Sequence, residues 1–429
     1  AAPGAGERRD EEAALAGEII RIEDLAAPVL TDVQKAALAY GETVEVELSV
    51  SAVLEAASTQ TGLSDFGPRD FEERLGVWLS ETDDDPERTA LGRMNHFNDC
   101  VRYASNRLRI HDLLQRHPEI HDVEIERPII VVGLPRSGTT HLVNLIAADR
   151  RLRSMPLWEG QEPVPVGTPP EDVTTDPRYQ RCEKAWQGMQ AVAPYTAAMH
   201  PMNPDHIHEE LELQLPDFSS YNQEWVARSP KWRDYYLAHD QTPHYEYLRT
   251  VLKILQWYRP RERWVLKSPQ HLEQLGPLLA TVPDATIVVT HRDPVSTVAS
   301  FATMISYSTR MSAAKPDPVG LGHYWADRIE TMLRRCVETR DHLPRAQSTD
   351  VLFHEYMGQE LETARTIYAQ AGLELDDASL AAIDAYQQAH PRGRYGRVLY
   401  DLADFDLDAA VLRERFRVYT DRFPVRLEH

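Results

Sequence analysis

Cysteine is scarce in this chain, and long apolar runs are missing. The three cysteines, Cys100, Cys182 and Cys336, are far apart and odd in number among 429 residues. They exclude a disulfide framework and a cysteine-based metal site, and they favour a reducing, cytoplasmic compartment. No run approaches the roughly 18 apolar residues that a membrane-spanning helix needs, so we expect a protein that does not span a membrane.

Basic residues are also in deficit. The chain has 46 lysines and arginines against 67 aspartates and glutamates, which gives a formal net charge of −21. A surface this acidic argues against nucleic acid as a partner. Any anionic ligand must therefore be held by a local group of basic side chains.

The order of apolar patterns predicts an α/β fold. Helical spacing runs from about residue 31 to 117, and we interpret residues 1–120 as a helical N-terminal extension that serves for packing or as a homodimer surface. Over 121–429, helix-like segments alternate with short β-branched runs at 129–132, 264–266, 285–290 and 350–353. This alternation predicts a P-loop-type parallel sheet flanked by helices.

The stretch from about 155 to 262 is too long for one crossover between strands. It holds five of the eight tryptophans, and we interpret it as a helical insertion above the carboxyl edge of the sheet. Its aromatic residues are expected to pack in the core or in a lid, or alternatively to line an apolar ligand pocket. They include Trp225, Trp232, Tyr235 and Tyr236.

A turn rich in small residues follows the first predicted strand and leads into a helix. Gly133 and Gly138 have the spacing of a nucleotide P-loop, but Thr139 stands where a nucleotide hydrolase needs lysine. The cation is instead Arg136, inside the loop. Backbone N–H groups at such a helix start bind phosphate, and a loop without the lysine suits a single 5′-phosphate and no Mg²⁺.

The segment 135–140, Pro-Arg-Ser-Gly-Thr-Thr, closely resembles the 5′-phosphosulfate loop of sulfotransferases that use 3′-phosphoadenosine 5′-phosphosulfate (PAPS). The best match is with the bacterial branch of that superfamily, which has a helical N-terminal extension. The resemblance implies that PAPS is bound by all six loop residues, Pro135, Arg136, Ser137, Gly138, Thr139 and Thr140.

A second segment matches the same family. The family has an arginine at a strand end and a serine eight residues later, both of which bind the 3′-phosphate of the nucleotide. Arg292 and Ser300 match them. If Asp293 caps a helix that begins at Pro294, Ser300 lies about 9 Å along that helix, a gap that an extended arginine largely covers.

The late loop over about 386–400 resembles the family's Arg-Lys-Gly-x-x-Gly loop, which closes over the 3′-phosphate. Arg392 and Gly393 match it, Pro391 replaces the first basic residue, and Arg394 is expected to supply the missing charge. The resemblance therefore implies that Arg392, Gly393 and Arg394 contribute to PAPS binding.

Catalytic groups are expected at the carboxyl edge of the sheet, where the sites of α/β enzymes assemble. In the family, a lysine at the end of a strand contacts the sulfuryl group or the bridging oxygen, which implies this role for Lys267, while Arg136 adds positive charge. The general base for the acceptor is His271 or Glu159. We favour His271, and Glu159 then orients it or binds the acceptor.

The segment His206-x-His208-Glu209-Glu210 resembles a metal site. On a helix, however, residues two positions apart point about 200° apart, and no third ligand occurs at a useful spacing. We therefore expect no metal here. Glu209, Glu210 and Glu212 are interpreted as a solvated helix face or, at most, as part of the acceptor pocket.

Together these features predict an enzyme that moves a sulfuryl group from PAPS to a hydroxyl, less often an amine, of a small molecule or lipid by in-line displacement. A P-loop nucleotide kinase or hydrolase is an alternative that Thr139 disfavours. A non-catalytic adenosine-nucleotide-binding relative is another, which Lys267 disfavours. The final residues 427–429 resemble the remainder of an expression tag, and no function is expected of them.

Overall fold

A parallel sheet of five strands lies at the centre of the fold. The computed structural model describes residues 17–390 and 395–428. The strands are β1 (Ile19–Arg21), β2 (Ile129–Gly133), β3 (Leu152–Arg153), β4 (Arg263–Lys267), β5 (Thr286–His291), β6 (Ser348–Leu352) and β7 (Arg397–Leu399). The central sheet has the order β3-β4-β2-β5-β6, with every neighbouring pair parallel, and β1 pairs with β7 in a separate sheet.

The predicted α/β fold is confirmed, because a strand lies at each of the four predicted positions. The short β1, β3 and β7 were not predicted, since two or three residues are too few for a periodic pattern. The α-helices of the described residues are α1 (Asp32–Gly41), α2 (Val50–Thr61), α3 (Phe71–Asp83), α4 (Ala90–Arg116), α5 (Thr139–Ala147), α6 (Leu157–Gln161), α7 (Pro177–Val192), α8 (Thr196–Met199), α9 (Gln223–Val226), α10 (Pro230–Ala238), α11 (Thr242–Tyr258), α12 (Leu275–Thr281), α13 (Pro294–Ser308), α14 (Pro318–Thr339), α15 (Phe353–Tyr356), α16 (Glu360–Ala371), α17 (Asp377–Ala389), α18 (Ala409–Arg415) and α19 (Arg417–Thr420).

The central strand β2 is covered on both faces. Ile130 and Val132 belong to one cluster of buried apolar side chains, whereas Ile129 and Val131 belong to another. Successive side chains of a strand point to opposite faces, so a strand packed on both sides needs an unbroken apolar run. This is why the run of β-branched residues predicted a buried strand.

The turn after β2 requires glycine at position 138. Gly138 is the N-cap of α5 and has a φ angle of 85°, which other residues rarely adopt. A Cβ atom at this position would also lie only 2.8 Å from Cδ2 of Phe353. The turn can therefore enter the helix tightly only because this residue has no side chain.

The helical N-terminal region shares a core with the predicted insertion. Trp78 of α3 contacts Phe218 and Trp232, with ring centroids 5.4 Å apart in both pairs. Arg74 of the same helix donates a 2.9 Å hydrogen bond to the carboxylate of Asp217. The predicted domain and insertion boundaries stay predictions, because these contacts join the segments that those boundaries separate.

The prediction of a helix around His206 and His208 is wrong. The backbone N–H of Leu157 donates to the carbonyl of His206, and that of His208 donates to the carbonyl of Met155, both at 2.9 Å. The chain is extended here because the neighbouring segment supplies the hydrogen bonds that a helix would make internally.

The interpretation of three glutamates as a solvated helix face is also wrong. Glu209, Glu210 and Glu212 are 3%, 1% and 6% exposed, and a short 3₁₀ helix begins at Glu210. Buried carboxylates need partners, and each of these has one. The partners are Lys267 for Glu209, His271 for Glu210 and His208 for Glu212.

A buried ion cluster ties the predicted insertion to the sheet edge. The guanidinium of Arg328 on α14 is completely buried. Its Nε lies 2.8 Å from a carboxylate oxygen of Glu224 on α9, and its Nη1 and Nη2 lie 2.9 and 2.8 Å from the two oxygens of Glu273. One arginine therefore pairs with two buried carboxylates from different segments.

The stability of the protein is expected to fall in mild acid because of His96. Burial, together with the nearby Arg88, lowers the pKa of His96 to about 4. Between pH 6.5 and 4 the unfolded chain binds a proton here that the folded protein does not, so the free energy of unfolding decreases as the pH falls. Across that interval the loss amounts to about 3 kcal/mol.

Urea unfolding at pH 7 and pH 4.5 measures this loss. The His96→Gln variant should lose about 2 kcal/mol less stability than the wild type between the two pH values, since the other titrating groups are common to both. Equal losses in the two proteins would contradict the assignment to His96.

Candidate active site

A cavity of about 210 Å³ lies at the carboxyl edge of the sheet. The segments that follow β2, β5 and β6 meet there, because these strands are neighbours. The cavity is lined by Pro135, Arg136, Gly138, Thr139, Thr140, His200, Glu209, Trp225, Arg292, Met304 and Phe353. Most of the predicted phosphate loop and Arg292 are thus brought together in one wall.

The start of α5 is suited to an anion. Its N-cap, Gly138, makes no side-chain capping hydrogen bond, and Thr139 and Thr140 follow in the cavity wall. The first backbone N–H groups of a helix have no partner within the helix, and the helix dipole favours negative charge beside them. A phosphate or sulfate group can therefore take the place of the missing cap.

Arg136 is held in a strained conformation. Its φ angle is 67°, in the left-handed region that costs a residue other than glycine about 1–3 kcal/mol. Its Nε donates to Ser300 Oγ at 3.0 Å and its Nη1 donates to the carbonyl of Met199. Burial lowers the pKa of this guanidinium. The loop cation is therefore fixed by contacts to α13 and α8.

Ser137 and Ser300 hold the loop from behind the cavity. The Ser137 hydroxyl donates to the carbonyl of Leu134 at 2.6 Å and lies 2.9 Å from Thr290 Oγ1. Ser300 contacts Arg136 instead of Arg292. Neither serine is among the residues that line the cavity. Their predicted contacts with PAPS stay predictions.

Arg292 binds the carboxylate of Glu428, which is one of the final residues 427–429 in which no function was expected. Its Nε and Nη2 donate to the two oxygens of Glu428 at 2.7 and 2.6 Å, and its guanidinium lies 4.2 Å from the ring centroid of Phe353. Its Nη1 donates to the carbonyl of Arg136 at 2.6 Å. This paired geometry is the one in which arginine recognises carboxylate and phosphate groups.

Residues 391–394 of the late loop lie outside the described residues. The roles of Arg392, Gly393 and Arg394 therefore stay predictions. The chain that follows them returns to the site, because Tyr400 interacts electrostatically with both Arg136 and Arg292.

The two predicted bases are buried behind the cavity wall. Nε2 of His271 lies 2.7 Å from Glu210 Oε1, and its Nδ1 lies 2.8 Å from the Tyr245 hydroxyl. Glu159 accepts a hydrogen bond from Arg153 and is 3% exposed. Neither residue lines the cavity. The choice between them stays a prediction, and this geometry favours neither.

Lys267 stands directly behind a cavity carboxylate. Its side chain is completely buried, and its Nζ donates to Oε1 of Glu209, which does line the cavity. The backbone N–H of Lys267 donates to Glu210 Oε2 at 2.8 Å. A cation and a carboxylate are thus fixed together at the end of β4.

A family model decides what kind of protein this is. The model of the sulfotransferase family matches residues 128–377, more than half of the chain and all of the wall described so far. The chain belongs to the sulfotransferase family.

Solved structures support this membership of the sulfotransferase family. The crystal structure of a sulfotransferase from Mycobacterium tuberculosis (STF1) is 31% identical, with a TM-score of 0.76, over 86% of this chain and 98% of that one. A sulfotransferase from Mycobacterium avium (STF9) is 25% identical, with a TM-score of 0.81, over 90% of this chain and 99% of that one. No curated protein matches significantly.

The N-terminal helices belong to the part that this sulfotransferase shares with those structures. A match over 90% of the chain is longer than the segment from residue 128 to the end, so it includes much of the helical N-terminal region. The expected helical extension is therefore confirmed. Among the helices of residues 17–390 and 395–428, none combines the length and the apolar character needed to cross a bilayer.

Sequence reasoning missed three residues of the sulfotransferase cavity, His200, Met304 and Phe353. Phe353 directly follows β6, and its position at a strand end could have marked it. His200 follows α8, and no spacing in the sequence relates it to the phosphate loop. The folded chain brings His200 close to the phosphate loop, because Arg136 donates to the carbonyl of Met199, the residue before His200. Burial lowers the pKa of His200 well below its usual value, so its ring is neutral at pH 7.

Three histidines of the sulfotransferase form a group that could hold a metal ion. One ligand nitrogen from each of His200, His206 and His208 lies within 4.8 Å of the other two. The rings of His206 and His208 were expected on opposite faces of a helix, but their segment is extended and forms no helix. His200 is the third candidate ligand, which sequence spacing did not reveal.

Proposed function

We propose that the protein transfers a sulfuryl group from PAPS to a hydroxyl group of a small-molecule or lipid acceptor. The observation that carries the proposal is one cavity that brings together two groups able to hold an anion. The uncapped start of α5 with Arg136 forms one, and Arg292 with its carboxylate partner forms the other. Two such sites suit a nucleotide with separate 5′ and 3′ acidic groups.

The loop residues are proposed to bind the 5′-phosphosulfate, with Pro135, Arg136, Ser137, Gly138, Thr139 and Thr140 contributing. Arg292 and Ser300 are proposed to bind the 3′-phosphate, together with Arg392, Gly393 and Arg394 from the late loop. Arg292 is supported most directly, because a carboxylate already occupies the position where it would hold an anion.

PAPS supplies the activated sulfuryl group, and residues of the protein accept the acceptor's proton and stabilise the charge that develops. A bond forms between the acceptor oxygen and sulfur, while the bond from sulfur to the bridging oxygen breaks. Glu209 takes the acceptor proton, because among the described cavity-lining residues it is the only carboxylate. Lys267, bound to that carboxylate, stabilises the negative charge that develops on the bridging oxygen as adenosine 3′,5′-bisphosphate leaves.

The acceptor side of the cavity is proposed to bind an aromatic or apolar molecule that carries a hydroxyl. Trp225, Met304 and Phe353 supply apolar surface beside Glu209. Incubation with PAPS and a panel of phenols, alcohols, sterols and glycolipids, read by mass spectrometry as the gain of one sulfo group, identifies the acceptor class.

Calorimetric titration tests the nucleotide assignment. Adenosine 3′,5′-bisphosphate should bind with EDTA present and about 10- to 150-fold more tightly than 5′-AMP, since a charged hydrogen bond contributes about 1.5–3 kcal/mol. ATP with Mg²⁺ tests the kinase alternative and should bind more weakly than the bisphosphate. Equal affinities for the bisphosphate and 5′-AMP would remove the basis of the proposal.

The Arg292→Ala variant should lose about 1.5–3 kcal/mol of affinity for the bisphosphate and little for 5′-AMP, which lacks the 3′-phosphate. Glu428→Gln is a companion variant with the opposite expected effect. Because it removes the carboxylate that pairs with Arg292, it should tighten bisphosphate binding. If Arg292→Ala weakens both nucleotides alike, the arginine supports the fold and does not bind the 3′-phosphate.

A further inference from the structure

Three histidine rings converge beside the cavity. The centroid distances are 5.3 Å for His200 and His206, 5.6 Å for His200 and His208, and 5.8 Å for His206 and His208. The corresponding interplanar angles are 63°, 74° and 58°, so the rings surround a common point and do not stack. Tetrahedral Zn²⁺ requires ligand nitrogens about 3.3 Å apart, a distance that side-chain rotation can reach from the observed 4.8 Å limit.

Packing leaves nitrogen atoms of this group unsatisfied. Both ring nitrogens of His200 and Nδ1 of His208 are buried and have no hydrogen-bond partner in the described part of the chain. His208 is only 6% exposed. Buried polar atoms are normally hydrogen-bonded, and a neutral imidazole offers one donor and one acceptor. A bound cation would use the lone pairs that the protein leaves unused.

His208 has the outer partner that metal-binding histidines usually have. Its Nε2 lies 3.2 Å from Oε1 of Glu212, and the same oxygen accepts a 3.2 Å hydrogen bond from Asn222 Nδ2. When a carboxylate engages one ring nitrogen, it fixes the ring orientation and leaves the other nitrogen as the ligand. Here that other nitrogen is Nδ1, one of the atoms without a partner.

The backbone holds the ligands in place before any ion arrives. The extended segment that carries His206 and His208 is held by two backbone hydrogen bonds to one neighbouring segment. His206 accepts from Leu157, and His208 donates to Met155. His200 directly follows α8, and its backbone N–H donates to the carbonyl of Thr196, the first residue of that helix. Sites built on fixed backbone lose little entropy when they bind a ligand.

Nearby charges of both signs surround the histidines. The positive charges of Lys267 and Arg136 act on His200, and the Nζ of Lys267 is paired with Glu209. The carboxylate of Glu212 adds a negative charge directly behind His208. Three imidazoles select transition metals such as Zn²⁺ over Mg²⁺ or Ca²⁺, which prefer oxygen ligands.

We propose that His200, His206 and His208 bind a divalent transition-metal ion of the Zn²⁺ class, with Glu212 as a positioning residue. Three protein ligands leave a fourth coordination position open, as in zinc sites that bind water or a substrate. His200 also lines the cavity. The metal ligands include none of the residues proposed to bind PAPS, and metal binding does not depend on that assignment.

Titration of EDTA-stripped protein with ZnCl₂ tests the proposal by calorimetry. One equivalent should bind with a Kd at or below about 1 μM. CoCl₂ should give the intense visible absorption of a four-coordinate site. His200→Ala and His208→Ala should each weaken Zn²⁺ binding more than about 100-fold, whereas Glu212→Gln should weaken it by about 10- to 100-fold.

The exposed His342 provides a matched control, and His342→Ala should bind Zn²⁺ like the wild type. Circular dichroism of each variant, with His208→Gln as a conservative second substitution, separates lost ligands from lost structure. Absence of one-equivalent binding by the wild type would overturn the proposal. Wild-type affinity in folded His200→Ala and His208→Ala variants would also overturn it. Bisphosphate binding in EDTA is a separate measurement, so either proposal can fail alone.

Discussion

The Glu209→Gln variant is expected to lose about 10²- to 10⁴-fold in kcat, the usual cost of removing a general base. Its bisphosphate affinity should change little, because the phosphates are assigned to the loop and to Arg292. The substitution keeps the shape of the side chain but removes the charge that pairs with Lys267. Steady-state kinetics with an identified acceptor measure the effect, and the variant should lose the acidic limb of the pH–rate profile.

Two further substitutions decide whether Glu209, His271 or Glu159 is the general base. His271→Gln and Glu159→Gln should each reduce kcat by less than about 10-fold, since both side chains already have buried partners and lie behind the wall. Thermal unfolding of each variant corrects for damage to the fold. If His271→Gln loses the activity and the pH limb while Glu209→Gln keeps them, the base is His271. The corresponding result for Glu159→Gln would assign the role to that residue.

The Arg328→Met variant is expected to lose about 3–5 kcal/mol of the free energy of unfolding. Removal of this arginine leaves the carboxylates of Glu224 and Glu273 buried without their counter-ion, and an uncompensated buried charge costs about that much. Urea unfolding at pH 7 measures the loss.

A triple variant provides the control for this ion cluster. Arg328→Met combined with Glu224→Gln and Glu273→Gln removes all three charges together, so most of the lost stability should return. A loss below about 1 kcal/mol in the single variant would mean that water or another side chain reaches the two carboxylates. Such contacts would offset the free-energy cost of burying them without Arg328.

The residues that sequence analysis located correctly are the ones that local backbone geometry determines. A β-branched run, a turn with Gly138 and a following helix are adjacent in sequence, so their pattern reveals both the strand and the helix start that lines the cavity. Arg292 could be located for the same reason, because it follows the end of β5 by one residue. Strand order then brings these separate turns to the same cavity.

The features that the sequence did not show depend on contacts between distant segments. Glu209 seemed to lie on an exposed helix, because the sequence does not show that Met155 and Leu157 pair with the backbone beside it. The partners of His271 could not be predicted either, because Glu210 and Tyr245 come from elsewhere in the chain to engage both ring nitrogens. Burial and partner assignment are tertiary properties, and residue type alone does not specify them.

The aromatic contacts between Trp78 and the rings of Phe218 and Trp232 have a consequence for protein engineering. A chimera that exchanged only the 155–262 segment between two relatives would leave Trp78 against foreign side chains in a close-packed interior. Recombination intended to change acceptor choice should therefore transfer the N-terminal helices together with that segment. The N-terminal helices and the 155–262 segment therefore form one exchangeable unit, although more than 70 residues separate α3 from residue 155.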